Sequence, residues 1–222
     1  MTLQLPSSKQ LDKSKQANPW DFGNKVLYDL CRDNFSHRQD EKILAKVWLI
    51  GRAYSVAIER RRNKSDINDN FYIDKVAPTF RKSNLDDHIH KLKQIKKLTV
   101  DNIQQVLESH MYLTTIVSKI TDLEKRSFSS KYLHFHLPEL FFIYDTRAVT
   151  AMRNFISRVP KQFDDMTKTR NVDNEYAKFF CKCFDLKTRI EKHFGTTITN
   201  RQLDNILIEI ANNNKASVNF QR

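Results

Sequence analysis

The sequence predicts an all-α protein, a multi-helix bundle of about eight or nine helices with no convincing strand pair. Three observations carry this. Only 3 Gly and 5 Pro occur in 222 residues, too few for the many tight turns of a β-rich chain. Apolar residues recur at i, i+3, i+4 and i+7 over most segments, the period of a helix. A hydrophobic fraction of 40% with 15 Phe supplies one sizeable core, or two helical lobes around a cleft.

Residues 1–17, MTLQLPSSKQLDKSKQA, are polar and lack periodicity, and they read as a flexible basic arm. A single all-α domain is expected over 18–213. It opens with NPWDFGNKVLYDLCRDNF, where Asn18 suits a cap, Pro19 suits the first turn, and Phe22, Val26, Leu27 and Leu30 share a face. The segment 40–62 is the most apolar of the chain. Ile43, Val47, Ile50, Tyr54 and Ala57 form its stripe, widened by Leu49, Ala53 and Val56, so it reads as a central buried helix. NKSDINDN, 63–70, is a loop, and FYIDKVAPTFRK is a short apolar piece broken at Pro78.

NLDDHIHKLKQIKKL reads as a polar helix with a basic end. The segment 99–121 is amphipathic, with Ile103, Val106, Leu107, His110, Leu113, Val117 and Ile120 inward. DLEKRS makes a basic turn. After Asp145, residues 146–159 carry Val149, Met152, Phe155 and Ile156 on a helix, and 160–174 form a surface loop. A long helix stops at Gly195, a suitable C-terminal cap. The last helix turns Leu203, Ile206, Leu207 and Ile210 inward, and 214–222 read as a frayed tail.

Lys and Arg number 38 against 26 Asp and Glu, a net charge of +12 that suits an anionic partner, most often nucleic acid. Cys31, Cys181 and Cys183 make no disulfide framework, and no apolar leader follows Met1. These point to a cytoplasmic protein, nucleoid-associated if the source is prokaryotic. Runs such as VWLI and LFFIY are far too short to span a bilayer. His88 and His90, His134 and His136, and Cys181 and Cys183 each lie two apart, roughly 200° around a helix, and cannot share a metal. No zinc spacing, phosphate loop, nucleophile elbow or dinucleotide fingerprint occurs, so no metal and no cofactor is expected.

The chemistry concentrates in residues 121–149. There the chain runs through a basic turn, TDLEKRSFSSK, a helix, FSSKYLHFH, and a Pro-broken loop, LPELFFIY. Asp145 then heads the next helix in YDTRAV. This order resembles the helix-hairpin-helix DNA glycosylase superfamily, in which the hairpin grips a DNA phosphate and an Asp heads the following helix at a pocket for a flipped base. The resemblance covers about forty residues directly, with a spacing short by a residue or two. It implies a bundle of that type, binding duplex DNA as a monomer and removing a damaged or modified base, with Asp145 as the catalytic carboxylate. A fixed carboxylate stabilises the cation that develops on the sugar, or orients a water.

The family's hairpin glycines are absent from LEKRS. The resemblance therefore assigns the phosphate contact to side chains, those of Lys125, Arg126, Ser127, Ser129, Ser130, Lys131 and Arg147. It also lacks an obvious lyase lysine, which favours a hydrolytic glycosylase. Asp is equally the preferred helix N-cap, and Asp145 fits that role too.

Arg52 and Glu59 are seven apart in the apolar segment. They pair as a structural ion pair, or they line the pocket, with Tyr54, Tyr144 and Trp48 as stacking surface. Trp20 either staples the first helix or walls the pocket. Of the basic runs, RRRNK, KLKQIKK and RVPKQF read as solvated faces, and the run at 123–131 as the phosphate contact. Two other readings compete: a non-catalytic nucleic-acid-binding module on the same scaffold, and an interaction module whose basic surface meets an acidic protein.

Overall fold

The computed structural model describes residues 4–61 and 70–219, with side chains as far as 213. Every regular element among the described residues is helical. In chain order the α-helices are α1 (Ser8–Lys15), α2 (Asp21–Asp33), α3 (Asp40–Ala53), α4 (Ala77–Arg81), α5 (Leu85–Lys93), α6 (Val100–Thr121), α7 (Arg126–His136), α8 (Thr146–Met152), α9 (Asn174–Phe194) and α10 (Asn200–Asn219), with a π-helical turn at Phe71–Val76 and a 3-10 turn at Lys161–Phe163. No described helix is long and apolar enough to cross a membrane. The run RRRNK and the expected loop 63–70 fall largely outside the described residues.

The N-terminal segment departs from the expected arm. Ser7 Oγ accepts from the Gln10 amide at 3.3 Å, and Gln10 Oε1 accepts from the Ser7 amide at 2.8 Å. That reciprocal box starts α1. Leu11 is buried, and Lys13 reaches Glu209 at 2.8 Å, which lays α1 along α10. One apolar residue in a polar octapeptide is too weak a periodic signal to announce a helix. Leu11→Ala is expected to cost about 2–3 kcal/mol in urea unfolding; a midpoint equal to wild type would mean that the segment is an arm after all. At the other end α10 runs on to Asn219, through most of the expected frayed tail.

Helix α2 turns a different face inward from the expected one. Asn24, Leu27 and Cys31 are buried, whereas Phe22 and Val26 are exposed and Trp20 is 77% exposed. Trp20 therefore does not staple the first helix to the core. The inward face is selected by Tyr54, whose hydroxyl donates to Asn24 Oδ1 at 2.6 Å.

Helix α3 ends at Ala53, nine residues before the end of the apolar segment. Ser55 takes φ 54°, and the chain folds back so that Val56 N donates to Gly51 O at 2.8 Å. A Cβ on Gly51 would stand 3.1 Å from Ala57 Cα, so glycine admits this return. Arg52 and Glu59 thus meet across a reversal at 2.5 Å, and not on one helical face. Glu59 also accepts from Tyr72.

The piece at 71–81 is not broken at Pro78. It winds as a π-helical turn, Phe71–Val76, into α4, and the wider turn takes up the proline ring. The helix expected over 146–159 stops at Met152, with Phe155 and Ile156 still buried beyond it. In α6 and α10 the expected stripes are buried, apart from Ile120, which is half-buried. At the centre lies α7, touching α2, α3 and α6, while α8 lies along α10.

Candidate functional site

The site is built on how α7 holds the entrance to α8. Three side chains of RSFSSK reach the backbone of Tyr144. Ser127 Oγ donates to Tyr144 O at 2.9 Å, and Lys131 Nζ donates to the same oxygen at 2.7 Å. Ser130 Oγ accepts from Tyr144 N at 3.0 Å. Lys131 Nζ also donates to Ser127 Oγ at 2.7 Å, and it lies 3.9 Å from Asp145 Oδ2. Asp145 is placed by the residue before it, which is clamped at both its N–H and its C=O.

Asp145 is the N-cap of α8. Its Oδ1 accepts from the Arg147 amide at 2.9 Å and from Arg147 Nε at 3.2 Å. Its side chain is 25% exposed, that of Lys131 only 1%. Burial raises the carboxyl of Asp145, but the Arg147 amide, the Lys131 ammonium and the Arg147 guanidinium outweigh it. The net shift is below the usual carboxylate value, so Asp145 is ionised at neutral pH. Burial brings Lys131 down to about 8, against the pull of Asp145 and Asp204.

A second carboxylate lies behind this pair. Asp204 of α10 is buried, and its Oδ2 accepts from Arg201 Nη1 at 3.2 Å while Oδ1 has no partner. Burial lifts it to about 6, opposed by Arg201 and Lys131 and aided by Asp145. The Arg201 guanidinium stands 5.8 Å from the Tyr54 ring, and Tyr54 leads on to Asn24. Arg201 and Asp204 are absent from the residues expected at the site. Asp204 shares a face with Leu207 three residues on, and an acid on that inward stripe is the signal that the sequence offers for them.

The hairpin side chains are engaged by partners within the fold. Arg126 Nε donates to both oxygens of Asp173 at 2.6 and 2.7 Å, and its Nη2 to Glu124 at 3.1 Å. Lys125 Nζ donates to Arg60 O at 2.5 Å. Ser129 and Ser130 are buried, as is Lys131. Of the residues expected on DNA, only Arg147 is exposed. The ring of Tyr144 packs edge-on against Phe179 and lies 5.8 Å from the Arg126 guanidinium. Without glycines, this turn is fixed by side chains folded inward, where a glycine-rich turn would present its amides.

Two clefts flank these elements. One, of about 380 Å³, lies beside the hairpin and carries Lys119 and Arg126 against Glu124, Asp173 and Glu175. The other, of about 460 Å³, is lined by Arg32, Asp33, Phe35, Arg38, Lys42 and His90. Asp145 lines neither. Among the described residues no group of three His, Cys, Asp or Glu could hold a metal ion. No family model, curated protein or solved structure matches the chain.

Proposed function

We propose that this protein is a DNA-directed, glycosylase-like hydrolase in which Asp145 acts on the sugar of a flipped nucleotide. The observation that carries the reading is the clamp of α7 on Tyr144, which sets a partly exposed, ionised carboxylate 3.9 Å from a buried ammonium. In the reaction the C1′–N bond breaks and the base leaves with the electron pair. Positive charge then grows on the sugar, and Asp145 faces that charge. Water completes the hydrolysis. Lys131 is not the nucleophile in this scheme, because its ammonium is buried and engaged by Ser127 and Tyr144. It is a positioning residue that fixes the Asp145 entrance.

The test compares wild type with Asp145→Asn on duplexes carrying diverse modified bases, scoring abasic sites. Wild type is expected to release at least one base, and the variant to lose 10²-fold or more in rate, on the order of 3 kcal/mol, while still binding duplex. Release that is unchanged in the variant would remove Asp145 from the chemistry.

One set of contacts favours a second reading, a non-catalytic nucleic-acid-binding module: the inward engagement of Lys125 and Arg126. Duplex binding with no base released from any substrate would select it.

A further inference from the structure

With Lys125 and Arg126 engaged inside the fold, most of the cations behind the net charge of +12 lie on other surfaces. The loop between α2 and α3 and the end of α5 form one surface. Arg38 and Lys42 line the 460 Å³ cleft together with His90 of α5. Phe35 of the same cleft lies 5.1 Å from the His90 ring, and Lys93 Nζ stands 4.5 Å over its face. Lys93 leads directly into Lys96 and Lys97, which are exposed.

Several of the acids nearby are engaged by other cations: Asp29 and Asp33 hold Arg32 at 2.8 and 3.0 Å, and Asp40 holds Arg81. Asp86 accepts from His37 at 2.6 Å, a buried ring that burial keeps neutral, so Asp86 retains its negative charge. Arg38, Lys42, Lys93, Lys96 and Lys97 make no ion pair among the described residues. Glu41 and Asp87 are the remaining acids of α3's first turn and α5's first turn, so positive charge predominates.

The cleft is also built from below. Lys46 is fully buried, and its Nζ donates to Asn34 O at 2.7 Å and Ser36 O at 3.1 Å. That fixes the loop and places a further positive charge beneath it. A low-dielectric wall with cations on one side focuses the field into the cleft.

We propose that this surface, from Arg38 and Lys42 across the cleft to Lys93, Lys96 and Lys97, binds the phosphate backbone of duplex DNA. A row of cations with no ion pair among the described residues, on two helices and two connecting loops, suits a row of phosphates better than one small anion. The inference rests on the reading that DNA is the partner, and not on base removal.

The test is fluorescence anisotropy with a random-sequence duplex over a salt series. One variant carries Arg38→Gln, Lys42→Gln, Lys93→Gln, Lys96→Gln and Lys97→Gln. A charge-matched control carries Lys119→Gln, Arg158→Gln, Lys161→Gln, Arg170→Gln and Lys192→Gln. The surface variant is expected to bind roughly 30-fold or more weakly, and its log Kd against log salt to flatten by about 0.9 for each phosphate that it no longer neutralises. The control should weaken by no more than about threefold.

Equal weakening in the two sets overturns the surface, and if wild type releases a base in the same preparation, the reading of the Asp145 site stands. Wild-type binding to poly-glutamate with none to duplex contradicts both the surface and DNA as the partner.

Discussion

Acidification from pH 7 to pH 4 is expected to unfold this protein cooperatively. Burial pushes His110 and His134 down to about 4 and His136 well below its ordinary value. Each is neutral in the fold. His134 Nδ1 donates to Phe141 O at 2.8 Å and its Nε2 accepts from Tyr28, while His110 stacks on Tyr176 at 3.6 Å. An unfolded chain binds protons at these sites from about pH 6.5 downward, which the folded chain does not. Stability therefore rises with pH across this window and is lost as pH falls from about 6.5 to 4.

A depression of this size corresponds to on the order of 3 kcal/mol for each of His110 and His134. Asp204 works the other way. Raised to about 6, it is protonated in the fold while still ionised in the unfolded chain, so acid favours the fold there by a similar amount. One carboxyl does not offset three histidines, and the lowered carboxylates Asp86 and Asp145 add to the loss at still lower pH. The net loss is a large part of the roughly 5–15 kcal/mol that holds such a domain. Far-UV circular dichroism against pH is the measurement. His134→Gln should move the acid midpoint downward, and a wild-type signal unchanged to pH 4 would contradict the expectation.

Lys46→Met is expected to destabilise the fold by about 3 kcal/mol. The side chain fits the volume, but the carbonyls of Asn34 and Ser36 lose their donor. Each orphaned buried acceptor costs about 1–3 kcal/mol. The α2 C-terminus also loses a cation. Against this, the substitution removes a buried charge whose desolvation brings the Lys46 ammonium down to about 8. Two carbonyls at once outweigh that relief. Urea unfolding at pH 7 measures the difference. At pH 9.5, where the wild-type amine is largely neutral in the fold and still charged in the unfolded chain, the gap should widen, because the cost of holding a depressed ammonium is present in full at pH 7 and is relieved as pH rises through about 8. Between about 8 and 10.5 the unfolded chain holds the extra proton, so wild-type stability rises with pH, whereas Lys46→Met does not titrate at this position. A variant as stable as wild type at both pH values would mean that the loop does not depend on Lys46.

What could be read from the sequence follows from how local each signal is. The stripes of α6 and α10 are long and periodic, and the core uses them as written. Helix α2 misleads because its inward positions include Asn24, a polar residue that the Tyr54 hydroxyl satisfies at 2.6 Å and that hydropathy would place outside. Helix α1 rests on a polar capping box and one leucine. The pairing of Arg52 with Glu59 is legible as chemistry, but its geometry is not, because the reversal at Ser55 is hidden in an apolar run. Asp145 at a helix head is legible from residue type. The direction of Ser127, Ser130 and Lys131 is not, since their partner is the backbone of Tyr144, at least thirteen residues away. A basic, serine-rich turn looks like a phosphate contact until the fold supplies a closer acceptor.

The central claim is that Asp145 faces positive charge on a sugar, and it can be tested without knowing which base is removed. Two duplexes would carry, at one position, a cationic pyrrolidine mimic of the abasic sugar or its neutral tetrahydrofuran counterpart. Wild type should bind the cationic duplex 10²-fold or more tightly than the neutral one, as expected for a site complementary to a transition state. Asp145→Asn should abolish that preference while leaving affinity for the neutral duplex unchanged. Equal affinity of wild type for the two duplexes would contradict the claim.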